Sequence, residues 1–212
     1  MFKGSQNESI RRATLLMTNL EKNERIKTLA PTVGINAAET LAELSQLREV
    51  ASKAIERQDT LEAATLKIGR TLQSNHDVRW DIYKDERYYA NGKITDVDQR
   101  KLLRLDENTT RKRDEQLAQM RAFYTHALES EATIAQLASV SITRALLEAG
   151  KHATEALAQL EADETITLSK QKQATREQTQ ALEVLDALRR KVNRLLLLGS
   201  DNDPEVRDAL GM

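Results

Sequence analysis

Side chains able to do chemistry are sparse in this sequence. The three histidines, His76, His126 and His152, form no pair at a metal-ligand spacing, and neither HExxH nor a repeated Glu-x-x-His occurs. His152 follows Glu148 by four residues, the spacing of an ordinary surface pair on a helix. The glycines supply no GxxxxGK or GxGxxG phosphate cradle. Asp77, Asp81, Asp85, Asp96 and Asp98 lack the order of a calcium loop, and Asn91 to Asp96 places too few oxygens at the required offsets. With no cysteine, thiol catalysis, disulfides and thiolate metal sites are excluded. The sequence therefore assigns no catalytic residue, no cofactor and no metal, and the expectation is a non-enzymatic protein.

Charge gives no stronger lead. There are 33 acidic and 32 basic residues, a formal net charge of −1, so no long-range field draws the chain to nucleic acid or to an anionic bilayer. Arg111-Lys112-Arg113 is cancelled by Asp106, Glu107, Asp114 and Glu115. Arg189-Arg190-Lys191 has only Glu183 and Asp186 nearby. Runs of this size are usually solvated helix surface, and nucleic acid is disfavoured as a partner.

Contact chemistry is better represented. Trp80, Tyr83, Tyr88 and Tyr89 hold the only tryptophan and three of the four tyrosines, and such residues give large contact area at low entropy cost. They read either as a recognition surface or as a small core where helices meet. A second candidate contact set is Leu185, Leu188, Val192 and Leu195, leading into Leu195-Leu196-Leu197-Leu198, which puts leucine on every side of one helical turn.

The elements that position these residues are helical. Ala153, Leu157, Leu160, Glu164, Thr167, Gln171, Ala174, Gln178, Ala181, Leu185, Leu188, Val192 and Leu195 follow alternating spacings of three and four, a heptad seam with a polar middle. That middle is expected to be the softest part of the helix. Upstream, Leu44, Leu47, Ala51, Ala54, Gln58, Leu61, Thr65, Ile68 and Leu72 repeat the pattern behind an Asn36 N-cap. Ser74 with Asp77 predicts a break near 72–76, followed by a short helix closed at Asn91-Gly92 by positive backbone dihedrals, with a small hairpin as the alternative. An earlier amphipathic helix from about Glu8 to Leu29 ends at Pro31 and Gly34. Asp96 with Gln99 caps another. The polar run 106–116 reads either as a solvated piece of rod or as a loop between helices, and its lack of Pro and Gly favours the rod. Between Ala145 and Leu157 the spacing slips to four-four-four at Gly150, where the chain kinks, turns back or runs on with altered winding. Gly199 suits the residue just past a helix, and Asp203-Pro204 starts a last short one.

Few aromatics, two prolines and seven glycines argue against a sandwich or barrel. The expected class is all-α: an elongated helical bundle or coiled coil with long antiparallel helices and a small aromatic-rich appendage. Its expected divisions are an N-terminal amphipathic helix (1–35), a long bundle helix (36–74), an aromatic connector or appendage (75–105), a long coiled-coil helix or helix pair open to a break near 150 (106–198), and a tail (199–212). The functional expectation is a helical scaffold or assembly subunit acting by coiled-coil protein–protein interaction, with a homo-oligomer or a helical protein as partner. Alternatives are a component of a larger secretion or surface apparatus with residues 78–95 as recognition tip, and a peripheral protein laying its basic N-terminal helix, Ser9 to Leu29, on a membrane surface. The first residues lack the apolar core of a signal peptide, and the longest aliphatic run is far short of a bilayer span, so the chain reads as cytoplasmic.

Overall fold

The computed structural model describes residues 3–201 and 203–211, with side chains from Gln6 onward, and every regular element among them is an α-helix. Met1, Phe2, Asn202 and Met212, which fall in the expected N-terminal segment and tail, lie outside the described residues. In order the helices are α1 Lys3–Lys22, α2 Glu24–Thr32, α3 Ala37–Asn91, α4 Val97–Leu102, α5 Arg113–Leu128, α6 Glu131–Ala138, α7 Arg144–Gly199 and α8 Pro204–Ala209. The all-α expectation is met. Helices α3 and α7 have 55 and 56 residues.

Local signals explain most helix starts. Asn36 accepts hydrogen bonds from Ala38 N at 3.2 Å and Glu39 N at 3.4 Å, opening α3. Asp96 accepts from Gln99 N at 2.8 Å, Ser130 from Thr133 N at 3.2 Å, and Asp203 from Glu205 N at 2.9 Å. Each cap satisfies an amide that the first helical turn would otherwise leave unpaired. Asn23 does the same for α2, at 3.1 Å from Arg25 N and 3.2 Å from Ile26 N. The single N-terminal helix expected over 8–29 is thereby divided in two.

Helix ends account for the other departures. After α2, Gly34 N bonds Pro31 O and Ile35 N bonds Ala30 O, with Gly34 at φ +76° and Ile35 buried. This is a Schellman closure, in which a left-handed residue lets the chain turn and seat an apolar side chain under the last turn. The same pair of bonds closes α4 through Arg104 (φ 54°) and buried Leu105, and α6 through Ser141 (φ 68°) and buried Ile142. These two closures use no glycine. The second supplies a break ahead of Gly150, and of the alternatives left open at Gly150 itself the chain runs on inside a continuous α7. The first begins a loop ending at Lys112, so most of the polar run expected as a rod is not helical.

Three further corrections concern α3 and α7. No break occurs at 72–76, because Ser74 and Asp77 lie within α3, and the expected connector 75–105 begins as the last third of that helix. Residues 87–89 are helical, which removes the hairpin alternative. Neither Asn91 nor Gly92 has positive φ; the turn after α3 closes through Lys93 and Ile94 amides on Ala90 O, with Ile94 fully buried. Gly199 is the last residue of α7, and the left-handed position after it is Asp201, at φ 54°.

The chain forms two compact units, Met1–Ala63 with Ser169–Met212, and Ala64–Leu168. In the first, Ala13, Leu16 and Leu20 of α1 and Ile26 and Ala30 of α2 share a core with Leu44, Leu185, Val192, Leu196 and Val206. Ser9 donates to Asp186 at 2.9 Å and Gln178 to Gln6 at 3.1 Å, fixing α1 on α7. Arg25 bridges α2 to Asp203 and Glu205. In the second unit the core is built on Tyr83, Met120, Phe123, Tyr124, Leu137, Leu147 and Leu157. Here α7 passes α3 in the opposite direction, with Gly69 facing Glu164 and Arg79 facing Gly150. At about 1.5–3 kcal/mol for each large apolar side chain removed from water, these clusters carry most of the packing energy.

Candidate interaction surface

The aromatic set separates by helical position. Tyr83 is fully buried and Trp80 packs against the same core, their rings 5.1 Å apart. Tyr83 also meets Phe123 edge-on at 5.5 Å. Burial pushes its phenol up to about 12. Tyr88 and Tyr89 lie on the opposite side of α3, 75% and 54% exposed, stacked edge to face at 5.6 Å. Two of the four are thus core residues and two are available for contact.

Beside Tyr83 lies a polar cluster that the sequence reading missed. Arg79 donates to Glu86 at 3.0 Å and to the Tyr124 hydroxyl, and its guanidinium lies 4.5 Å from the Tyr124 ring centroid. The Tyr124 hydroxyl in turn donates to Glu86. Burial raises the Glu86 carboxyl, with Tyr124 and Arg79 opposing the rise, and burial and Glu86 raise the Tyr124 phenol. The three groups bond one another, leaving only Arg79 Nε of the cluster buried without a partner, and so the cluster holds α3 to α5. One turn on, buried Arg87 donates to Leu105 O at 2.9 Å and to Arg104 O and Glu107 O. Gln119 and Gln116 hold Asn108 O and Thr110 O at 2.9 and 2.8 Å. These side chains account for the order of a loop with almost no apolar content.

Between α3 and α7 of the second unit runs a groove of about 360 Å³. Its α3 wall is Asn75, Val78, Arg79 and Ile82, and its α7 wall is Ala153, Ala156, Leu157 and Leu160. Both walls follow i, i+3, i+4, i+7, the spacing of one helix face. Val78 is 61% and Ile82 42% exposed. The α7 wall was legible as the seam through Ala153, Leu157 and Leu160. The α3 wall was hidden by the expected break at 72–76.

The other contact set is engaged within the chain. Leu185 and Val192 are buried in the first unit's core, and Leu188 and Leu195 pack against it. Leu185 and Val192 thus face inward, whereas Leu188 and Leu195 keep part of their surface exposed; of the leucine run, Leu198 is 61% exposed. The N-terminal face proposed for a bilayer is likewise used, since Ala13, Leu16, Leu20, Ile26 and Ala30 are at most 2% exposed.

Among the described residues, no group of three or more His, Cys, Asp or Glu side chains could hold a metal ion. His76 is buried, His126 Nδ1 lies 2.7 Å from Glu129 Oε2, and His152 lies 3.6 Å from Glu155 rather than against Glu148. No described helix is long and apolar enough to cross a membrane. The fold and its surfaces define an all-α chain with two very long helices and an open groove between them in one unit. No protein family, curated protein or solved structure matches it.

Proposed function

We propose that the protein is a non-enzymatic helical scaffold or assembly subunit that self-associates through the groove between Asn75–Ile82 and Ala153–Leu160. The observation that carries this reading is the open space between an apolar face of α7 and a half-apolar face of α3, on which Val78 and Ile82 are left substantially exposed. A third helix laid there buries its own apolar stripe and covers both residues, which is the helix-in-groove mode of recognition. Homo-oligomerisation supplies such a helix from a second copy.

Sedimentation over a concentration series tests it. Val78→Glu with Ile82→Glu should weaken association by about tenfold or more, because desolvating an unpaired carboxylate at an interface is costly, while helicity is retained. A monomer at every concentration overturns self-association, and unchanged association in the variant overturns the groove. Exposed Tyr88 and Tyr89 favour a second reading, a recognition tip engaging a larger secretion or surface apparatus. It expects Tyr88→Ala with Tyr89→Ala to abolish association that the groove variant leaves intact.

A further inference from the structure

The first unit contains a cavity of about 660 Å³ whose rim carries Arg12, Arg189, Arg190, Arg194 and Arg207 and, among the described residues, no carboxylate. Leu197 and Leu198 form an apolar part of its lining. The arginines come from three helices, α1, α7 and α8, so the fold gathers them; only Arg189, Arg190 and Arg194 are neighbours in sequence.

Counter-charge is short. Glu8 pairs with Arg12 at 2.7 Å but also serves Arg11. Asp186 pairs with Arg189 at 3.1 Å and more loosely with Arg190 at 3.8 Å. Among the described residues, Arg194 and Arg207 have no ion-pair partner. Five guanidiniums against two carboxylates leave a surplus of three positive charges around one concavity. The C-terminal end of α7 contributes only about −0.5 charge in opposition. Asn193, 4% exposed, also lines the cavity, with its Oδ1 buried and without a hydrogen-bond partner.

We infer that this cavity binds an organic diphosphate, with the arginines holding the phosphates and Leu197 and Leu198 accommodating the organic part. Guanidinium matches phosphate oxygens in a bidentate fork. A diphosphate concentrates about three negative charges in one compact group near neutral pH, matching the local surplus, whereas carboxylates would need three separate groups. The volume falls in the range of about 300–1,000 Å³ usual for small-ligand sites. The diphosphate belongs either to a soluble molecule or to a phosphorylated lipid headgroup.

The test titrates the full chain with inorganic pyrophosphate by calorimetry, with sulfate at matched ionic strength as control. Pyrophosphate should bind, and Arg194→Gln with Arg207→Gln should weaken it by at least about tenfold. Lys191→Gln, which removes a charge from the same stretch of α7 but not from the cavity, should change it by about twofold or less. Both arginines are exposed, so the fold should persist; Arg207→Gln alone repeats the test if the double variant loses helicity. Vesicles of phosphatidylcholine doped with diacylglycerol diphosphate separate the sources: capture that pyrophosphate competes away assigns a lipid headgroup, and pyrophosphate binding without capture assigns a soluble ligand. Pyrophosphate binding no tighter than sulfate, or weakened equally by Lys191→Gln, overturns the site.

Discussion

Gly150 and Gly69 both lie inside long helices, where alanine is ordinarily favoured over glycine by about 1 kcal/mol, yet their surroundings give opposite signs. A Cβ at Gly150 would overlap the buried Tyr124 ring and the Arg79 guanidinium, whereas one at Gly69 would meet only the end of the flexible Glu164 side chain, at 3.0 Å. Gly150→Ala should therefore lower stability by about 1–3 kcal/mol, the usual range for overpacking. Gly69→Ala should raise it by about 0.5–1 kcal/mol. Denaturant titration of both variants checks the pair, and stabilisation by both would mean Tyr124 is not seated against α7. His76 gives a pH-dependent outcome. Burial, aided by Arg113 and opposed by Asp77 and Glu161, holds its imidazole below the ordinary 6.5. The unfolded chain then takes up the proton first, so the His76 contribution is intact above pH 6.5 and is lost as pH falls through the lowered folded value. Subtracting the His76→Gln profile from that of the parent isolates this slope, at most about 1.4 kcal/mol per pH unit. A flat difference below pH 6.5 would show that the imidazole is solvated. Neither glycine's role was legible in the sequence, where Gly150 marks only a slip in spacing. Their contacts depend on residues of other helices.

At the scale of the element, helix starts were far more legible than helix ends. Asn36, Asp96 and Asp203 announce themselves because an N-cap acts within its own turn, through a side chain that the sequence names. Ends at Arg104 and Ser141 did not, because the left-handed position there is taken by residues with no such preference. What holds them is the burial of Leu105 and Ile142 one residue later, a tertiary effect. Forcing a side chain into that region costs about 1–2 kcal/mol. Ser141→Gly should thus stabilise the protein by about 1 kcal/mol despite the extra freedom it gives the unfolded chain. The shift is readable in the thermal midpoint; destabilisation would mean Ser141 itself holds the α6–α7 junction. The same reasoning explains why 106–112 was misread. Polar residues without Pro or Gly suggested a helix, but Arg87, Gln116 and Gln119 reach across to hold that backbone as a loop.

For the molecule as a whole, the important division falls within the two longest helices. Buried residues of α3 stop at Ala51 and resume at Leu72, and those of α7 stop at Leu157 and resume at Ala174. The heptad pattern runs through both gaps without interruption, so periodicity alone could not show that the chain has two cores. Polar Glu164, Thr167 and Gln171 did mark the α7 gap. The α3 gap is lined by Ala54, Gln58, Leu61, Thr65 and Ile68, which read as an ordinary seam. Because the clusters around Leu185 and around Phe123 have no residue in common, each should unfold with its own enthalpy. The intervening helix has little fully buried surface to add, and helical stability in proteins comes mostly from packing an apolar face rather than from propensity. Scanning calorimetry should accordingly resolve two transitions. Leu185→Ala, costing about 2–5 kcal/mol, should lower one, and Phe123→Ala, costing about 3–5 kcal/mol, should lower the other. A single transition displaced by either substitution would show that the two helices transmit stability through their unburied stretches, and the division into two cores would then have no energetic meaning.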